Sequence, residues 1–213
     1  YDHDGNGSVD GLVLVHAGTD GAWSGSNNDV WSHAWTLPAP LWTADGVYVS
    51  TYCTVPEFYM VPGDLTPGVI AHEMGHSVLG LPDLYDVDYT SLGLGFWSLM
   101  SYGMWNGPFG MGGSPAHLDA WSRIQATFAA PENVFQDLPG FLLPPVEHFP
   151  QIMRLWPNGV YGNEYFLVEN RQPFGFDAFL PGFELLIYHV DDNVMTWNNN
   201  EWYPGGPAIG HYR

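Results

Sequence analysis

Apolar and polar positions alternate along this chain in short runs, and the runs fall into two halves. Leu12 to Val15 is a brief apolar run leaving an Asp/Gly-rich loop, and Val47 to Val55 alternates with period two, as a strand does when one face is buried. Thr66-Pro67 has the form of a helix start, with Thr66 as N-cap and Pro67 at the first helical position. That helix is expected to run to about Leu79 and stop at Gly80, since Pro82 cannot continue it. Within it Ile70, Met74 and Val78 recur at four-residue steps, which predicts a face turned into the core. Ser114-Pro115 predicts a second helix, to about Ala130, ahead of Pro131. Beyond a Pro-rich linker around Leu138 to Pro145, strands are expected over Gln151 to Trp156, Glu164 to Glu169 and Phe183 to Val190. Asn158-Gly159 and Gly162 join the first two. The order of elements predicts an α+β protein, with a mixed sheet and one principal helix in the N-terminal half and a strand-rich C-terminal half. On this reading residues 1–213 are one domain of two lobes, about 1–80 and about 81–213.

Composition narrows the classes. With 46% hydrophobic and 16% aromatic residues the chain has the material for a folded core. Its 23 acidic residues face four arginines (Arg123, Arg154, Arg171, Arg213) and no lysine, which excludes a nucleic-acid footprint and suits divalent cations. No apolar run approaches bilayer thickness, the longest being short segments such as Phe183 to Val190. The one cysteine, Cys53, rules out a disulfide within the chain, and its place in the alternation of Val47, Val49 and Thr51 predicts a buried strand residue. The chain opens on Tyr1 without a leader, which reads as a processed piece of a larger precursor, with a pro-segment or further domains outside it.

The chemistry concentrates in His72-Glu73-Met74-Gly75-His76. Histidines four apart project from one face of a helix, so His72 and His76 can present imidazole nitrogens to a single zinc ion. In this arrangement Glu73 does not bind the metal; it holds the attacking water and takes its proton. Gly80 permits a sharp turn, and Leu81-Pro82-Asp83-Leu84-Tyr85-Asp86 then brings carboxylates back behind the histidines. Asp83 is the expected third ligand and Asp86 the reserve. A second pattern, Asp2-x-Asp4-x-Asn6-Gly7-Ser8-x-Asp10, matches the first nine positions of a calcium loop. Val13 at the twelfth position cannot ligate, so a Ca2+ site built on Asp2, Asp4, Asn6, Ser8 and Asp10 would be completed from elsewhere. The other histidines, His3, His16, His33, His117, His148, His189 and His211, have no ligand spacing and read as ordinary residues.

The segment HEMGHSVLGLPDLYD, residues 72–86, resembles the zinc signature of the immune inhibitor A family of bacterial metallopeptidases, in the metzincin group. GFWSLMSYGMWNG, residues 95–107, resembles the Met-turn of that group, with Met100 as its methionine below the metal. The stretches 1–18, 31–35, 114–121, 165–172 and 185–192 are also similar to the family, so the resemblance covers nearly the whole chain. It implies a metzincin-like catalytic domain, and a secreted or cell-surface zinc endopeptidase that cuts peptide bonds in proteins. The usual pattern places the glycine three positions after the second histidine, whereas Gly80 follows His76 by four, which leaves Asp83 and Asp86 both open. Tyr102, two residues after Met100, resembles the astacin and serralysin branches, in which the tyrosine stabilises the tetrahedral intermediate. Its alternative is a packed aromatic. Two other functional readings compete. A silent scaffold protein keeping the fold would be expected to lose Glu73 or a ligand, and a thermolysin-type peptidase would not carry the turn around Met100.

Overall fold

The computed structural model describes residues 2–86 and 91–193, so His211 lies outside the described residues. The chain divides into two compact units, Tyr1–Leu81 and Pro82–Arg213.

The first unit holds strand β1 (Val13–His16), helix α1 (Gly21–Ser24), strands β2 (His33–Trp42) and β3 (Tyr48–Pro56), and helix α2 (Pro67–Ser77). β3 is the central strand, parallel to β1 with Val13 opposite Cys53 and antiparallel to β2. Its β-branched and aromatic residues fit a strand with both neighbours paired, and Cys53 is fully buried as expected. β2 was not foreseen as a strand because Pro38 and Pro40 interrupt it. Proline cannot donate to a ladder, so β2 sits at the edge of the sheet, and its register slips between Thr36 and Leu41. α2 packs against β2 and β3. Its buried residues are Gly68, Val69, His72, Glu73 and Gly75, whereas Met74 and Val78 are 40% and 43% exposed. This reverses the expected apolar face: the helix turns its two glycines, Val69 and the polar residues inward. The helix also ends at Ser77, two residues before Leu79.

The second unit carries helix α3 (Ala120–Gln125) and strands β4 (Pro131–Val134), β5 (Ile152–Leu155), β6 (Glu164–Arg171) and β7 (Glu184–Asp191), in sheet order β4-β5-β6-β7. β4 and β5 are parallel; the other pairs are antiparallel. The expected helix from Ser114 to Ala130 shrinks to α3. Asp119 is its N-cap, accepting the Ser122 N–H at 3.0 Å, and Thr127 at φ 60° lies just beyond its end. β4 carries no strand signal in its sequence because Pro-Glu-Asn-Val has no alternation; as an edge strand it tolerates its proline. Ala120, Val146, Ile152, Tyr165, Leu167 and Tyr188 form the core. Behind them Arg171, fully buried, donates to Glu169 at 3.1 Å and bidentately to Asp177 at 2.7 and 2.8 Å, while Tyr188 donates to Glu169 at 2.7 Å. Two mixed sheets and a few short helices place the chain in the α+β class, compatible with a peptidase domain. Among the described residues no helix is long and apolar enough to cross a membrane.

Candidate metal centre

α2 positions the first three side chains of the site. It begins at Pro67 after an extended Thr66, whose side chain makes no capping hydrogen bond. His72 and Glu73 are 3% and 6% exposed, and His76 is half-buried. The two imidazoles meet edge to face with ring centroids 4.6 Å apart, and their Nε2 atoms lie 3.1 Å from each other. His76 Nδ1 is 2.6 Å from the Leu81 carbonyl oxygen, which can only accept, so the ring carries its proton on Nδ1 and turns a lone pair outward at Nε2.

The chain then reverses. Gly80, at φ +66°, donates its N–H to the His76 carbonyl at 3.0 Å, and the Leu81 N–H reaches the Gly75 carbonyl at 3.0 Å. The two bonds nest as in a Schellman cap, but each spans one residue more. The additional residue between His76 and Gly80 is accommodated in this wider closure. Asp83 follows directly, and one carboxylate oxygen of Asp83 and one nitrogen each of His72 and His76 all lie within 4.8 Å of one another. Asp86 is not in this group; it is fully buried and its carboxylate accepts the Ser91 N–H.

Two imidazoles and a carboxylate fit zinc by their chemistry. The two Nε2 atoms lie 3.1 Å apart, close enough to share one cation, and the carboxylate supplies opposite charge. On one flank, a cavity of about 350 Å³ is lined by Ala34, Trp35, Thr36, Thr51, His76 and Ser77. Cys53 is outside the donor group. Burial pushes its thiol pKa up, which keeps it neutral and unsuited to metal capping.

In the second unit Met100 is fully buried in a tight turn. Its N–H donates to Ser98 Oγ at 3.1 Å and its carbonyl accepts the Leu84 N–H at 2.7 Å. Gly103 closes the turn: a Cβ there would collide with the Ser98 carbonyl and come within 2.8 Å of Ala116 Cβ. Tyr102 is half-buried, stacked on Tyr85 at 5.7 Å and tilted against Phe96 at 6.0 Å.

The N-terminal loop forms a second group. One carboxylate oxygen each of Asp2, Asp4 and Asp10 lies within 4.8 Å of the others. Backbone N–H groups of Gly7, Asn6 and His3 donate to Asp2, Asp4 and Asp10 at 2.9, 3.0 and 2.7 Å and hold the three carboxylates together. Asn6 shares the loop and accepts the Ser8 N–H at 2.8 Å, whereas the Ser8 hydroxyl points to the Tyr48 carbonyl at 3.5 Å.

Sequence reading missed the buried polar residues Ser98, Asp119, Glu169, Arg171 and Asp177. Asp119 was legible as an N-cap three residues before Ser122, had the proline at 115 not suggested an earlier helix start.

A helix that presents two converging imidazoles beside a buried glutamate, set on a mixed sheet, falls in the metallopeptidase class. Residues 1–128 match the family described as "Immune inhibitor A peptidase M6, catalytic domain", and the chain belongs to this family. It is 36% identical over 128 residues to "Immune inhibitor A" of Bacillus thuringiensis subsp. alesti, covering 50% of this chain and 18% of that protein. It is 33% identical over 145 residues to "Pre-pro-metalloprotease PrtV" of Vibrio cholerae serotype O1 (strain M66-2), covering 58% of this chain and 15% of that protein. The matched portion thus spans less than a fifth of either curated relative.

Proposed function

We propose that this chain is the catalytic domain, in two lobes, of a secreted zinc endopeptidase that hydrolyses peptide bonds in proteins. The convergence of His72 Nε2 and His76 Nε2 at 3.1 Å, with Asp83 in the same group, carries the reading. His72, His76 and Asp83 would hold the ion. Zinc there supplies Lewis acidity, polarising the scissile carbonyl and lowering the pKa of the attacking water. Glu73, adjacent to His72 and shielded from solvent, accepts the proton of that water and delivers it to the leaving amine. No covalent enzyme intermediate is required. Tyr102 donates to the developing oxyanion, and its stack on Tyr85 fixes the ring for that task. Met100 is assigned as the methionine of a metzincin Met-turn.

A Ca2+ ion in the loop of Asp2, Asp4, Asn6 and Asp10 is part of the same proposal, with Ser8 acting as an anchor to the Tyr48 backbone. The name "Pre-pro-metalloprotease" of the Vibrio relative speaks of a precursor, and we carry a pro-segment over to this chain; an extracellular location and additional domains are further parts of the proposal. Metal analysis of dialysed protein, paired with cleavage of an unfolded protein substrate with and without chelator, tests the reading. About one zinc per chain and chelator-sensitive cleavage are expected. Zinc-loaded protein that is inert on several unfolded substrates after removal of any pro-segment would sink it.

A further inference from the structure

The turn that holds Met100 is tied to a buried carboxylate that has no part in the reaction described above. Asp119 is fully buried. Its Oδ2 accepts the Ser98 hydroxyl at 2.6 Å and the Ser122 hydroxyl at 2.7 Å, and its Oδ1 accepts the Ser122 N–H at 3.0 Å. A serine hydroxyl has one proton to donate. With that proton committed to Asp119, the Ser98 oxygen is left to accept, and it accepts the Met100 N–H at 3.1 Å. On the far side of the same residue the Met100 carbonyl accepts the Leu84 N–H at 2.7 Å. That N–H lies in one rigid peptide plane with the Asp83 carbonyl, so fixing it restricts the direction in which the Asp83 side chain leaves the backbone.

We propose that Asp119 is a positioning residue for Asp83, acting through Ser98, the Met100 backbone and the Leu84 N–H. The proposal rests on the assignment of Asp83 as a zinc ligand. Three further bonds give the relay a stiff base: the Leu99 N–H donates to the His117 carbonyl at 3.2 Å, the Ser101 N–H donates to the Ser98 carbonyl at 3.0 Å, and Arg171 Nη1 lies 3.4 Å from the Trp97 carbonyl. Charge-assisted bonds at Asp119 exceed neutral ones in strength, so the carboxylate rather than the serines sets the geometry. A ligand whose backbone is held this way does not have to be ordered by the metal, and the metal is bound more tightly for it.

Zinc dissociation constants, read by competition with a chromophoric chelator in full-length chain shown by circular dichroism to be folded, test the relay. Ser98→Ala and Asp119→Asn are each expected to weaken zinc binding by about 10- to 100-fold, the range found when partners behind a ligand are lost. In an Asp83→Ala background the same changes are expected to cause no further loss, because the relay ends at Asp83. Wild-type zinc affinity in folded Ser98→Ala, or an equal loss with and without Asp83, would overturn the proposal. If Asp83→Ala by itself leaves zinc affinity unchanged, the ligand assignment fails first and the relay falls with it. Should Asp119→Asn not fold, Ser98→Ala removes a single hydroxyl and carries the test alone.

Discussion

His72, Glu73 and His76 were legible because a four-residue spacing on a helix has only one geometric outcome, and the structure turns both imidazoles to one point. Asp83, three residues past Gly80, was the expected third ligand and Asp86 the reserve, since Asp86 would need a second reversal of the chain. The choice depends on the width of the helix closure at Gly80, a hydrogen-bonding detail that no spacing rule contains. Glu73→Gln preserves size and leaves the three proposed ligands in place. It is expected to retain about one zinc while kcat falls at least roughly 100-fold, the contribution of a positioned general base. Metal content and turnover measured on one preparation check this; a fall in zinc parallel to the fall in kcat would make Glu73 a structural residue. Tyr102→Phe separates the two roles left open for that ring. Phenylalanine keeps the stack on Tyr85, while loss of the hydroxyl should lower kcat by on the order of 100-fold with little change in KM. Unchanged kcat would leave Tyr102 as a packed aromatic.

Among the elements, those with strong local signals were readable and those shaped by tertiary contacts were not. β3, α2, β6 and β7 sit close to where alternation, N-cap and proline placed them. β2 and β4 were hidden by prolines that only an edge position excuses, and α3 is short because Asp119, not Ser114, caps it. The inward face of α2 defeated the amphipathic rule since its buried residues include two glycines and the polar side chains of His72 and Glu73. The N-terminal loop is an element whose stability should depend on an ion. Three carboxylates gathered by backbone N–H groups repel one another, and Ca2+ relieves that repulsion. Saturating Ca2+ at about 100 times Kd contributes about 2.7 kcal/mol, which for a chain of this size is roughly 5–10 °C in Tm. Asp4→Ala should blunt the rise in a calorimetric scan; identical responses of the two proteins would reduce the loop to a turn.

For the molecule as a whole, the formal charge of −19 makes acid a two-sided perturbation. Protonating surface carboxylates relieves repulsion and favours the compact state, while protonating paired carboxylates in the interior removes support. Asp177 belongs to the second kind. Burial alone would raise its pKa, but hydrogen bonds from His117 and Arg171 outweigh that and hold it well below the ordinary carboxylate range. Its neighbours are Arg171 at 2.7 Å, the His117 ring at 3.0 Å, and Glu169 and Glu147, which both contact Arg171. Since the folded-state pKa is depressed, its contribution is fully present above the unfolded value of about 3.9 and is lost as pH falls below it. Glu147 acts in the opposite sense: burial raises its pKa, so its contribution diminishes as pH climbs through the acid range. Denaturant unfolding of the metal-free protein at a series of pH values between about 6 and 2 resolves the two. Wild type should lose stability steeply below about pH 4, whereas Asp177→Asn should begin less stable near neutrality and show a shallower acid slope. Using metal-free protein keeps protonation of the zinc ligands out of the measurement. Parallel slopes for the two proteins would mean that Asp177 does not set the acid limit of this fold.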